Sequence, residues 1–197
     1  MPNELKFDFF KINFDKLDPS QGKVLIAEPS LIDLNFKRSV VLLVEHNEDG
    51  VVGFVLNRML NYNLSDLIPD FPSFDAKISL GGPVSPKSVH FIHTLGEIVP
   101  ETNHIVDNLF WGGDFEYIKS LVIGKKIASN QILFFAGYSG WTKEQLGREI
   151  SEGSWVVTKL DPIQILSGTE DLWLSTVQQL GKKFRAWTLY PEDPMSN

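Results

Sequence analysis

The chain has 197 residues, 43% hydrophobic and 12% aromatic, which is enough apolar surface to bury a full core, so a single domain over 1–197 is expected, with room for a small subdomain. Its 18 Lys plus Arg against 25 Asp plus Glu leave a net charge of -7, which repels phosphate backbones on average and argues against direct nucleic-acid binding. There is no cysteine, so disulfides, zinc–thiolate sites and thiol catalysis are excluded.

Taken in order, the opening stretch MPNELKFDFFKINFDK alternates charges with aromatics and lacks an apolar h-region, so no signal peptide is read there. Residues 22–27 (GKVLIA) predict a first strand, closed by Glu28-Pro29. SVVLLVEH, 39–46, is apolar on both faces: Val40, Leu42 and Val44 point one way, Val41 and Leu43 the other. Such a strand must be covered on both sides, which predicts a layered fold. Asn47-Glu-Asp-Gly50 is a hairpin turn signal, with VVGFVLN as the returning strand. NLSDLI predicts a short helix capped near Asn63 or Ser65, then a loop from Pro69 to Pro72.

AKISLGGPVS and SVHFIHTL predict two strands around a Gly-Gly-Pro turn. Asp114 is an N-cap for the helix FEYIKSLVIG. QILFFAG predicts a strand, TKEQLGREI a helix and SWVVTKL a strand. A last helix starts near Thr169, carries Trp173, Val177 and Leu180 at helical spacing, and stops at Gly181. Strands and helices alternate in the second half only, so the fold class is mixed α+β with a partly antiparallel sheet. The apolar runs Val40–Val44 and Val51–Leu56 fall far short of the ~20 residues that span a bilayer, so no membrane association and a cytoplasmic location are expected. Lys125-Lys126 and 182–185 (KKFR) read as surface charge near helix ends.

The motif with the look of chemistry is GYSGW, 137–141. A nucleophile elbow needs G-x-S-x-G, but Trp141 takes the fifth place, and all four histidines precede Ser139. The alternative is a glycine turn leading into a capping box, with Thr142 bonding to the helix amides and Gln145 reciprocating. On that helix Glu144 and Arg148 are spaced as an ion pair, and Leu146 and Ile150 face the core. Neither LGGP nor WGGD matches a phosphate-binding loop. His90 and His93 lie three apart in a predicted strand and point to opposite faces, as do the adjacent Glu45 and His46, so no metal site is assigned. A hydrogen-bonded His46 beside the turn is the simpler reading, an exposed site residue the sharper one. Asp33, Asn35, Arg38, Glu45, Asn57 and Arg58 flank the first three strands; they either converge at strand ends as a ligand site or serve as loop caps and surface pairs. Most of the tryptophans fit the core.

The stretch 25–58, LIAEPSLIDLNFKRSVVLLVEHNEDGVVGFVLNR, with LGGPV, FIHT, GYSGWTKEQLGREI and Ser154-Trp155, resembles in order the YqgE/AlgH family of bacterial proteins. The resemblance implies an α+β fold with a bifurcated mixed sheet curled into a pseudo-barrel, flanking helices and a smaller α/β portion. It also implies a cytosolic protein without an assigned activity, often labelled a transcriptional regulator. The family's polar signature falls on Asp33, Phe36, Arg38, Ser39, Glu45, His46, Asn47, Asn57, His93, Tyr138, Trp141, Gln145 and Glu149. The family pattern also admits Ala at position 139, and Glu144 stands where relatives often carry Gly, which adds negative charge at that helix start.

The candidate ligand- or partner-binding residues are therefore Asp33, Arg38, Glu45, His46, Asn47, Asn57, His93, Tyr138, Ser139, Trp141 and Gln145. No catalytic residue, metal or cofactor is assigned. The expected function is indirect regulation of transcription through a small molecule or protein partner, by a monomer or weak homo-oligomer. An enzyme with a pocket around the EHN and GYSGW motifs is the alternative.

Overall fold

A computed structural model describes residues 17–191, so the reading of the first sixteen residues lies outside the described residues. In chain order the elements are β1 (Val24–Ala27), β2 (Val40–Asn47), β3 (Gly50–Val55), α1 (Leu64–Leu67), β4 (Lys77–Leu80), β5 (Val84–His93), β6 (Asn103–Val106), β7 (Leu109–Trp111), α2 (Phe115–Ile123), β8 (Ile132–Trp141), α3 (Lys143–Ser151), β9 (Trp155–Thr158), α4 (Pro162–Leu166), α5 (Leu172–Gln179) and α6 (Arg185–Thr188). The strands form one nine-stranded sheet in the order β6-β7-β5-β8-β3-β2-β1-β9, with β4 attached to β8. Every pairing is antiparallel except β4 with β8, so the fold is mixed α+β. Among the described residues the sheet does not close on itself: β6 and β9 form its two ends.

The bifurcation lies at β8. Its first half, 132–136, pairs with β5 on one edge and β4 on the other, whereas 139–141 pairs with β3. Between the halves Gly137 has φ +68, and a Cβ there would lie 2.7 Å from the Val84 carbonyl oxygen. The LGGP motif meets β8 here backbone against backbone: a Cβ on Gly81 would sit 2.3 Å from the Gly137 oxygen. Glycine is required because the strands change partners where no side chain fits.

The two apolar faces of β2 separate as its alternation demands. Val40, Leu42 and Val44 enter one core with Phe54, Trp173 and Trp187, under α4, α5 and α6. Val41 and Leu43 enter a second with Trp141, Leu146 and Trp155, under α3. A third core joins α1 and α2 to β4, β5 and the first half of β8 around Phe71, Phe91 and Phe134.

The β2–β3 hairpin closes at the Asn47↔Gly50 pair, with a bulge between Leu43 and Glu45. Asp114 caps α2 by accepting from the Tyr117 amide. Asn63 is the N-cap of α1. Three expectations are corrected. GYSGW is not a turn before a helix but the end of β8, because pairing with β3 keeps it extended. Gln145 does not complete a capping box; it reaches forward to Glu149. The expected Glu144–Arg148 ion pair is not among those formed by the described residues. In addition, α5 begins at Leu172 rather than near Thr169, and the β6–β7 hairpin, α4 and α6 are elements beyond those expected.

Candidate functional site

Ser139 is fully buried and donates its hydroxyl proton to the Gly81 carbonyl at 3.0 Å. The same carbonyl accepts from the Val55 amide at 2.9 Å. A second buried serine, Ser79, donates to the Val55 carbonyl at 2.8 Å and accepts from the Arg58 amide at 3.1 Å. These hydroxyls fasten β3, β4 and β8 at the branch, and Ser139 has neither the exposure nor the base a nucleophile needs. Its neighbour Tyr138 packs edge-on against His90 at 5.7 Å.

Trp141 and Gln145 belong to a different construction. Glu149 on α3 accepts from the Trp141 indole at 3.0 Å and the Trp155 indole at 2.8 Å through one carboxylate oxygen, and from the Gln145 amide at 2.9 Å through the other. Phe36 packs on both indoles, at 5.6 and 5.4 Å. One half-buried carboxylate thus satisfies two nearly buried indole N–H groups, which ties α3 to β8 and β9 and holds the loop before β2 over them.

Glu45, His46 and Asn47 lie at the exposed end of the hairpin. The Asn47 amide donates to Glu45 at 2.6 Å, its carbonyl caps Asp49 at 2.9 Å, and the His46 ring makes no hydrogen bond to the described residues, contrary to the simpler expectation. Lys143 makes an exposed 2.6 Å ion pair with Glu48 and holds the Glu48 carboxyl below its usual pKa. His93 is a core residue: Nδ1 accepts from the Leu95 amide at 3.0 Å and Nε2 lies 2.9 Å from the Gly112 carbonyl, which fixes the proton on Nε2. Burial depresses its pKa, and the Gly112 bond opposes this. His90, packed at 5.4 Å against Phe54, is depressed by burial alone. Among the described residues, no group of three or more His, Asp or Glu is arranged to hold a metal ion.

The remaining predicted residues do meet. A groove of about 600 Å³ opens where β2 begins and β3 ends, lined in part by Lys37, Arg38, Asn57, Arg58, Glu170 and Asp171. Asn57 ties its rim together, accepting from the Val40 amide and donating to the Arg38 carbonyl, both at 2.9 Å. Arg38, at φ +51, holds its guanidinium 4.8 Å from the Trp173 ring and donates to the Tyr190 carbonyl. Trp173 is itself fixed by its indole bond to the Ala27 carbonyl at 2.8 Å. Arg58 donates through Nη2 to the carbonyls of Leu34 and Lys37, leaving Nη1 and Nε without partners among the described residues. Burial draws its pKa below the usual value and the charge of Asp33 opposes this, yet guanidinium remains protonated. Met59, Leu60, Leu80 and Leu174 supply apolar lining.

The structure therefore brings Arg38 and Asn57 together, sets Asp33 nearby, and disperses the other candidates to the hairpin end, the branch, the indole clasp and the core. Sequence reasoning assigned no site role to Lys37, Glu170, Asp171 or Trp173. Trp173 carried only the signal of helical spacing, and the two acids, just ahead of α5, carried none.

The family model described as AlgH-like (DUF179) matches residues 24–185. A UPF0301 protein of Parabacteroides distasonis is 43% identical over 193 residues, covering 96% of this chain and 98% of its own length. A UPF0301 protein of Chlorobium limicola is 40% identical, covering 93% and 98%. Among solved structures, the solution structure of the AlgH protein from Pseudomonas aeruginosa superposes with a TM-score of 0.68 at 28% identity, covering 90% of this chain and 98% of that one. A crystal structure of a Corynebacterium diphtheriae protein gives the same TM-score at 22% identity, covering 90% and 95%, and shows the shared fold. The sequence signature, the branched sheet and these matches agree: the chain belongs to the AlgH-like family.

Proposed function

We propose that this chain is a non-catalytic binding protein that takes a small ligand in the groove at the start of β2 and end of β3, and that influences transcription indirectly through that ligand or a partner. The observation that carries the reading is Arg58: a half-buried guanidinium that, among the described residues, bonds only to backbone carbonyls and lines a groove of about 600 Å³ with two of its nitrogens uncommitted. A partly buried charge whose hydrogen-bonding capacity is not exhausted is a ready contact for a polar ligand, and the volume lies within the range of small-molecule sites. The enzyme alternative is the weaker one, since β3 lies between the Glu45–His46 end of β2 and Ser139, whose buried hydroxyl is already bonded to the Gly81 carbonyl. Direct DNA reading has little support from a chain of net charge -7. On this reading the protein acts in the cytoplasm, as a monomer or weak homo-oligomer; among the described residues no helix is long and apolar enough to cross a membrane.

A thermal-shift screen of metabolites, nucleotides and short duplex DNA tests the proposal. A ligand at 100 times its dissociation constant adds about 2.7 kcal/mol, which is roughly 5 to 11 °C for a chain of this size. The expected hit loses its shift in Arg58→Gln but keeps it in Ser139→Ala. A hit that ignores the groove substitution, or one that the protein consumes, would overturn the reading.

A further inference from the structure

We propose that the groove selects a zwitterion of about dipeptide size with an apolar body; this deepens the binding reading above and rests on it. The groove carries both signs of charge. Lys37, Arg38 and Arg58 come from the segment before β2 and the residues after β3, whereas Glu170 and Asp171 come from the turn that starts α5. The two carboxylates make no hydrogen bond or ion pair to the described residues, and Asp171, although the N-cap of α5, does not use its side chain as a cap. The Arg58 guanidinium bonds, among the described residues, only to the Leu34 and Lys37 carbonyls.

Opposite charges that share a groove and do not pair with each other are separated by more than contact distance, and a molecule bridging them must present both signs. A purely anionic ligand would gain Arg58 but meet Glu170 and Asp171; a purely cationic one would meet the reverse. An α-amino group and a carboxylate joined by an apolar body satisfy both signs of charge, and Met59, Leu60, Leu80 and Leu174 give the same groove apolar lining for that body. Arg58 Nη1 and Nε supply directed donors for the carboxylate.

The test is calorimetric titration of the full chain with three probes of the same body: Leu-Leu, its N-acetyl form and its C-terminal amide. Leu-Leu is expected to bind at least about tenfold more tightly than either blocked form, because each block leaves one groove charge facing an uncharged group. Glu170→Gln with Asp171→Asn should erase the preference for the free amine while leaving the N-acetyl form bound, and Arg58→Gln should erase the preference for the free carboxylate. The two acids are exposed and their carboxylates bond to none of the described residues, so their double variant keeps the test valid if Arg58→Gln fails to fold. Equal binding of the N-acetyl form to the wild-type chain would overturn the zwitterion while sparing the groove. The same holds if no probe binds but another metabolite does so in an Arg58-dependent way. If neither the probes nor any metabolite binds, both readings fall.

Discussion

Replacing Glu149 tests whether the GYSGW motif is architectural. In Glu149→Ala the indole N–H groups of Trp141 and Trp155 lose the oxygen they share at 3.0 and 2.8 Å. The two rings are 6% and 3% exposed, so solvent replaces that acceptor poorly. An unsatisfied buried donor costs about 1–3 kcal/mol, and water entering the vacated space recovers part of it, giving a loss of roughly 2–4 kcal/mol for the pair. At about 2–4 °C per kcal/mol the midpoint should fall by roughly 4–16 °C. Glu149→Gln keeps one carbonyl oxygen for the indoles and loses only the charge-assisted part, so its cost should be about 1–2 kcal/mol. Differential scanning calorimetry gives both numbers, and tryptophan emission should move to the red in the alanine variant as the indoles meet water. A double-mutant cycle with Trp155→Phe isolates the pair, since neighbouring partners couple. An alanine variant within about 0.5 kcal/mol of the wild-type chain, the range of an ordinary surface change, would refute the clasp.

Ser139→Ala should cost about 1 kcal/mol through the lost bond to Gly81, and labelling of Ser139 by a serine-directed fluorophosphonate would contradict its assignment as a structural residue. Gly82→Ala should unfold the chain or lower its midpoint by more than about 6 °C, because the new Cβ would sit 2.2 Å from the Ser139 oxygen and 2.4 Å from the Tyr138 oxygen at φ +153; a well-folded variant by calorimetry would show that the branch can relax. Both His90 and His93 have pKa values depressed by burial, so the unfolded chain binds protons that the folded one does not; their contribution is present above the unfolded value near 6.5 and is lost as pH falls through the folded values. The thermal midpoint should therefore drop on acidification below about pH 6.5, less steeply in His90→Gln; an unchanged slope in that variant would rule out His90 as a contributor.

What was legible in the sequence was what is local. Alternation in 39–46 placed each valine and leucine of β2 on its observed face, and Asn47 to Gly50 closed the predicted hairpin. Asp114 and Thr142 cap the helices they precede. The misses have physical causes. GYSGW carries two glycines and reads as a turn, but its conformation is set by pairing with β3, which lies about ninety residues earlier. β6 and β7 are four and three residues long, too short for a periodic signal. α4 did carry a signal, Asp161-Pro162 followed by Gln164, whose side chain bonds back to the Asp161 amide at 3.2 Å. The groove was legible only as scattered polar residues at strand ends, because its other half depends on contacts such as Arg38 with Trp173 and Tyr190.

The candidates divide by where their hydrogen-bonding capacity goes. The Ser139 hydroxyl is turned inward to the Gly81 carbonyl, both His93 nitrogens meet the main chain, Asn57 joins two strand ends, and Glu149 holds three donors. Much of the motif that looks chemical in one dimension is thus engaged in making a sheet branch where a single strand serves three neighbours. A ligand site needs polar groups that folding leaves incompletely satisfied, and Arg58, Glu170 and Asp171 meet that condition in one groove. Residues of this kind carry no local motif, since what marks them is capacity left over by the bonds that the described residues make. On the proposed reading, a ligand is expected at the charges around this groove rather than at the serine between its glycines.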